Sequence, residues 1–162
     1  MSPRLARTGH AEVHSDAPPE AVWPLVADVT RIGEWSGECV RARWLGGAVE
    51  PAVGVRFRGY NRAGLLRRWS RTNELITVDA PHAIAWRTLP SLRYRDSTEW
   101  RLRITADGAG STITQDYQVV HMPALLERLL ALVMPMHRDR NAGLAADLSR
   151  LAAAAARASL TD

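Results

Sequence analysis

The sequence contains no lysine, and all 21 of its basic side chains are arginine. A Schiff-base amine and the phosphate-gripping lysine of a P-loop are therefore excluded, with the enzyme classes that need either. A single cysteine, Cys39, rules out an internal disulfide and any multi-cysteine metal site within one chain. The leucine-rich stretch at 129–136 is eight residues long, far short of the ~20 that cross a bilayer. The first residues carry Arg4 and Arg7 but no apolar core of a secretory leader, so the expectation is a cytoplasmic protein. Gly46, Gly47 and Gly54 fall between strands and not ahead of a helix, which is not the placement of a phosphate loop.

What is present has the composition of a globular chain: 162 residues, 46% apolar and 23% charged. That length buries roughly 70% of the unfolded surface around one core. We expect one domain, 1–162, with about 1–8 and 158–162 flexible. The net charge of +4 comes from arginines scattered along the whole chain. No dense basic block is available to track a phosphate backbone, so no nucleic-acid partner is expected.

Residues 10–17 alternate, with His10, Glu12, His14 and Asp16 on one side and Ala11, Val13, Ser15 and Ala17 on the other, the period of a half-buried strand. Asp16 then precedes Pro18 and Pro19 as an N-cap candidate. A short helix over 20–28, bent at Pro24, and a second helical turn over 30–35 follow. Six strands are predicted next, over 40–45, 55–61, 66–78, 84–89, 94–105 and 112–120, with short turn-forming breaks that make neighbours antiparallel. Arg56, Arg58 and Arg62 alternate with Val55, Phe57, Gly59 and Asn61. Arg93, Arg95, Glu99, Arg101 and Arg103 alternate with Tyr94, Asp96, Thr98, Trp100, Leu102 and Ile104. One face of the sheet is thus wet and arginine-rich. From Pro123 the chain is helical, interrupted at Pro135, and His137, Asn141, Leu144, Leu148, Leu151 and Ala155 form the stripe of a long last helix laid on the sheet.

The stretch VWPLVADVTRIGEWS at 22–36, PAVGVRFRGYNRAG at 51–64 with Trp69 after it, and GAGSTITQDY at 108–117 resemble the START-like helix-grip superfamily, and within it the polyketide cyclase/dehydrase branch. The resemblance covers nearly the whole chain. It implies an α+β helix-grip fold: a seven-stranded curved antiparallel sheet wrapped around a long C-terminal helix, with two short helices after the first strand. In that fold the two short helices plug one end of the groove, which explains the break at Pro24. Trp23 and Trp35 are then packing wedges.

A curved sheet closed by a helix leaves an apolar hollow of the kind that holds small molecules. Phe57, Trp69, Trp86 and Trp100 supply its walls, with Trp44 a further candidate, and Asn61, Asp96, Gln115 and Tyr117 are the polar residues on inward rows. A buried Asp96 needs a partner, and Arg71, on the same parity as Trp69, is the candidate; alternatively the strand ends near Tyr94 and Asp96 sit at the rim in water. Asn141 and His137 lie on the helix stripe facing the sheet. His137 reads as a capped or solvent-reaching side chain, because no carboxylate stands at a spacing that makes a dyad. Cys39 reads as a small buried residue. His10 and His14 share the outer face, and no metal site is expected.

The sequence supports a cavity better than it supports a reaction. A binder of a lipophilic small molecule, such as a polyketide, an aromatic metabolite or a lipid, is the first expectation, and no cofactor is needed for it. A cofactor-independent cyclase, aromatase or dehydratase using Asp96, Tyr117 and Gln115 in the same cavity is the second. A peripheral membrane or partner-binding module, with residues 125–136 as an apolar flap over the cavity mouth, is the third; it contacts a membrane without spanning it. Oligomeric state and ligand identity are not legible.

Overall fold

The computed structural model of the chain describes residues 4–160. In β1 (Thr8–Ser15) Ala11 and Ser15 point into the core while His10, Glu12 and His14 face water, as the alternation requires. α1 (Pro19–Ala27) places Pro19 in its first turn, where a missing N–H costs nothing, and Pro24 on its exposed side. Asp16 does not cap it. Pro18 occupies the cap position with no side-chain bond, the Asp16 side chain is 93% exposed, and the Ser15 hydroxyl accepts the Ala17 N–H at 3.2 Å instead. The capping carboxylate belongs to the next element: Asp28 accepts the Thr30 N–H at 3.0 Å and starts the 3-10 helix Val29–Glu34.

β2 (Cys39–Trp44), β3 (Arg56–Ala63), β4 (Arg67–Asp79), β5 (Ala83–Thr88), β6 (Ser97–Asp107) and β7 (Gly110–His121) complete one antiparallel sheet. Its order is β1-β7-β6-β5-β4-β3-β2, so the first strand pairs with the last. Gly46 and Gly47, with φ of 64° and 77°, turn the chain between β2 and β3 in a region that side chains with a Cβ avoid. β6 begins at Ser97 and not at Tyr94 because Arg71 takes up both the carboxylate and the backbone carbonyl of Asp96. Those bonds hold the residues before it as a loop.

α2 (Ala124–Val133) and a single 3-10 turn, Pro135–His137, lead into α3 (Asn141–Ser159). His137 is therefore not on the long helix; Pro135 ends α2's register and α3 starts only at Asn141. α3 buries Leu144, Leu148, Leu151, Ala152 and Ala155 against a core that includes Leu102, Ile104 and Ile113. Each fully buried leucine contributes about 1.5–3 kcal/mol. The sheet curves around this helix, the helix-grip arrangement, and α1 with the following 3-10 helix closes one end.

The N-terminal segment is better anchored than expected. Leu5 is buried, and the carbonyls of Ala6 and Arg7 accept the Tyr117 hydroxyl and the Val119 N–H. Residues 1–3 and 161–162 of the segments expected to be flexible lie outside the described residues. α2, by contrast, turns outward: Leu125, Leu129 and Leu132 are 82%, 54% and 66% exposed. No described helix is long and apolar enough to cross a membrane.

Candidate functional site

Because side chains on adjacent antiparallel strands meet in register, the inward aromatics of β3 to β6 form one wall. Trp86 lies opposite Trp100, and their rings stack at 6.4 Å with 13° between planes. Phe57 meets Trp86 edge-on at 6.4 Å. This wall and the N-terminal half of α3 enclose a cavity of about 480 Å³, which Trp69 also lines. The four expected aromatic wall residues are thus brought together.

Asn61, Arg71, Asp96 and Gln115 line the same cavity. Arg71 and Asp96 pair in the protein and not in water. One guanidinium nitrogen donates to both carboxylate oxygens at 3.0 and 2.9 Å, the other to the Asp96 carbonyl at 2.9 Å, and the side chains are 12% and 9% exposed. The pair stitches the loop before β6 onto β4. Asn73 and Thr88 extend the polar patch, with the Thr88 hydroxyl donating to the Asn73 side chain at 2.9 Å. Two buried polar atoms among the described residues have no partner, Arg71 Nε and Gln115 Oε1. Gln115 is 4% exposed. A buried acceptor without a donor is costly.

Three expected residues are not part of the wall. Tyr117 is claimed by the N-terminal strand: its ring lies where a Cβ on Gly9 would stand, only 2.2 Å from Tyr117 Cε1, and its hydroxyl donates to Ala6. Arg140 stacks over both Trp100 and Tyr117, at 5.3 and 5.8 Å. Asn141 is exposed and accepts the His10 N–H at 3.1 Å, a helix-start bond to the edge strand. Trp44 sits behind Phe57, edge-on at 6.3 Å.

The residues that sequence reasoning missed come from the far side. His137 is 7% exposed and its Nε2 lies 2.8 Å from a Glu38 oxygen. Arg140 approaches the other Glu38 oxygen at 3.8 Å, and all three line the cavity. Desolvation at the cavity edge pushes the Glu38 carboxyl up, but the hydrogen bond from His137 and the charge of Arg140 outweigh it and hold it below the ordinary range. No sequence signal could have found the dyad, since its members stand 99 residues apart.

A second polar cluster ties the corner before β2 to α3. Asp147 accepts the Gly37 N–H at 2.9 Å and the Ser36 hydroxyl at 3.3 Å and pairs with Arg150, which donates to the Trp35 carbonyl at 2.9 Å. Burial pushes Asp147 up, against these donors. Trp35 is 4% exposed, donates its indole N–H to Leu25 at 3.0 Å and also lines the cavity. It is a packing wedge whose inner edge faces the ligand space. Burial raises the Cys39 thiol to about 11, so at neutral pH it is not a thiolate nucleophile.

Another depression, about 580 Å³, lies on the outer face among His10, Glu99, Arg101, Asp116 and Gln118. Ile76, Ala85 and three of the residues expected in the ligand site, Trp100, Tyr117 and Asn141, also line it, so its wall mixes charged and apolar groups. Among the described residues no three histidine, cysteine or acidic side chains converge as a metal site.

A family model described as polyketide cyclase / dehydrase and lipid transport matches residues 7–156. No curated protein matches the chain. Among solved structures, protein CV1439 of Chromobacterium violaceum superposes with a TM-score of 0.67 at 13% identity, covering 93% of this chain and 97% of that one. Protein MLL2253 of Mesorhizobium loti gives 0.65 at 16%, covering 93% and 98%. The di-domain ARO/CYC StfQ of the steffimycin biosynthetic pathway gives 0.66 at 16%, covering 93% of this chain but 45% of the longer one. At these identities the likeness is one of fold.

Proposed function

The chain belongs to the polyketide cyclase / dehydrase and lipid transport family, and on that premise we propose that it binds a lipophilic, aromatic small molecule of polyketide type between the sheet and α3. The observation that carries this is the combination in one cavity of the Trp69, Trp86 and Trp100 wall with the polar side chains of Asn61 and Gln115. Apolar walls with a few placed polar groups are the usual anatomy of a small-molecule site. That the structurally similar StfQ is an ARO/CYC protein of a biosynthetic pathway is in keeping with a small-molecule ligand.

The test is tryptophan emission titrated with 1-naphthol and with 8-anilinonaphthalene-1-sulfonate. We expect saturable quenching, with Trp100→Ala weakening the affinity for 1-naphthol about tenfold, the factor for ~1.4 kcal/mol of lost ring contact. No saturable quenching by either probe excludes the cavity as a binding site.

A second reading concerns how such a ligand arrives. The β3–β4 hairpin, the β5–β6 loop and the β7–α2 connection share one end of the sheet by antiparallel topology. That end carries Leu65, Leu66 and Leu92 at 88%, 95% and 96% exposure, beside the outward leucines of α2. Arg62, Arg67, Arg68, Arg93 and Arg95 are exposed on the same loops and strand ends. Leucine tips ringed by arginine suit the surface of an anionic lipid bilayer, and Trp69, near the start of β4, and Met136, after α2, also line the cavity. Co-sedimentation with phosphatidylglycerol vesicles should exceed that with phosphatidylcholine at least tenfold and fall to background in Leu65→Glu/Leu66→Glu; equal sedimentation of variant and parent excludes the docking.

A further inference from the structure

Arginines that lie scattered along the sequence are gathered by the sheet. On the outer side of β2, β3 and β4, where the alternation turns Phe57 and Gly59 inward, the register sets Arg43 directly opposite Arg58 and Arg62 directly opposite Arg68, with Arg41 in the row between. All but the half-buried Arg58 are exposed. Like charges directly opposite on neighbouring strands destabilise a sheet, and among the described residues no carboxylate pairs with any of these side chains. The rest of the face is different: Arg56 has Glu74, Arg87 has Glu99 and Arg103 has Asp116. The unpaired cations are nonetheless held in place. Arg41 lies over the Tyr60 ring at 4.4 Å, and Arg58 donates to the Ser70 hydroxyl at 3.1 and 2.8 Å. A concentrated, oriented positive field on an exposed face complements a negatively charged partner.

We propose that this outer face of β2, β3 and β4 docks an acidic helix of a partner protein. The dimensions agree. Neighbouring strands lie ~4.8 Å apart and same-face residues along one strand ~6.7 Å apart, close to the ~5–6 Å between helix residues three and four positions apart. A helix about 10–12 Å wide therefore covers all three strands and brings a carboxylate to each guanidinium, which grips it with two parallel hydrogen bonds. Nucleic acid fits less well. A single strand asks for a continuous basic track and free rings for its bases, whereas this block ends where the arginines are already paired, and Arg41 occupies the face of Tyr60. A bilayer meets the end of the sheet, where the leucine tips stand; Arg41, Arg43 and Arg58 lie on its flat. Asn61 and Trp69, on the inner side of the same strands, line the cavity, so the docked helix and the ligand space share one layer of sheet.

The experiment uses the full chain and a fluorescein-labelled, alanine-based helical peptide with glutamates along one face, its binding followed by fluorescence anisotropy at low salt. The comparison probes are a peptide of the same composition with the glutamates spread around the helix and a single-stranded oligothymidylate of equal charge. The one-faced peptide should bind about tenfold more tightly than either and weaken as salt rises. Arg41→Glu/Arg43→Glu should cut its affinity about tenfold. Arg43→Glu alone sets an opposite charge against Arg58, so it should melt no lower than the parent while still weakening the peptide; this separates lost docking from lost folding and decides the matter should the double variant not fold. Equal affinity for the spread peptide would mean attraction by net charge alone and overturn the docking surface. Tighter binding of the oligothymidylate, unchanged affinity in a folded charge-reversed variant, or binding of phosphatidylglycerol vesicles without binding of the peptide would overturn it as well. None of these outcomes touches the cavity reading, which stands or falls with the quenching by 1-naphthol.

Discussion

Replacing Arg71 with methionine should destabilise the protein by about 3–5 kcal/mol, because the change strands the Asp96 carboxylate where water does not reach it. Asp96 is 6% exposed, and Arg71 donates three of its hydrogen bonds, two to the carboxylate and one to the backbone carbonyl. For a domain of this size that corresponds to a fall in melting temperature of roughly 10 °C. Asp96→Asn should cost less than Arg71→Met, since the amide oxygen still accepts from the guanidinium, and the double variant Arg71→Met/Asp96→Leu should recover part of the loss. Thermal melts of the three variants check this. Equal, small losses in all three would mean that the pair is solvated and that the loop before β6 opens to water.

Trp35→Ala should cost a similar amount, about 3–5 kcal/mol, through lost packing and the void left behind. The void has an unusual position. Trp35 is wedged between α1, the 3-10 helix and the sheet, yet its inner edge lines the cavity, so truncation opens the cavity toward the plug. Millimolar indole should therefore raise the variant's melting temperature by several degrees while leaving the parent unmoved, since a ligand bound by the native state alone stabilises it. Trp35→Phe keeps most of the volume but leaves the Leu25 carbonyl without its 3.0 Å donor, a loss of about 1–3 kcal/mol. A denaturant series on the three proteins separates packing from hydrogen bonding. A Trp35→Ala variant as stable as the parent would show that the plug is not held by this ring.

The strands were legible because burial on one face of a sheet writes itself with period two: Phe57, Trp86, Trp100 and Gln115 fall on inward rows as the alternation says. The Arg71–Asp96 pair was legible as a charge problem, a carboxylate on an inward row that had to find a cation. What misled was local spacing without its partner surface. His137 stands four residues before Asn141 and reads as the same helical stripe, yet Pro135 sets it on a separate turn. Tyr117 has the right parity for the cavity, but the absence of a Cβ at Gly9 lets the edge strand cover its ring. Asp16 has the residue type of a cap but stands too far ahead of a helix that begins at Pro19. Glu38 belongs to the site only through contacts that the fold creates between opposite ends of the chain.

The pairing of β1 with β7 has a consequence for how the molecule comes into being. Ala11 finds its partner Gln115 more than a hundred residues downstream, and closing so long a loop carries an entropy cost that no local contact offsets beforehand. β2 to β7 follow one another through short connections, so each can zip onto the strand made before it. β1 has no such neighbour, and α3, which packs across it, is made after all seven strands. On the ribosome the chain is thus for a time a six-stranded ladder with a bare edge at β7 and an unroofed hollow. The cavity becomes a closed space only when β1 and α3 meet, so α3 must emerge before there is anywhere for a ligand to go.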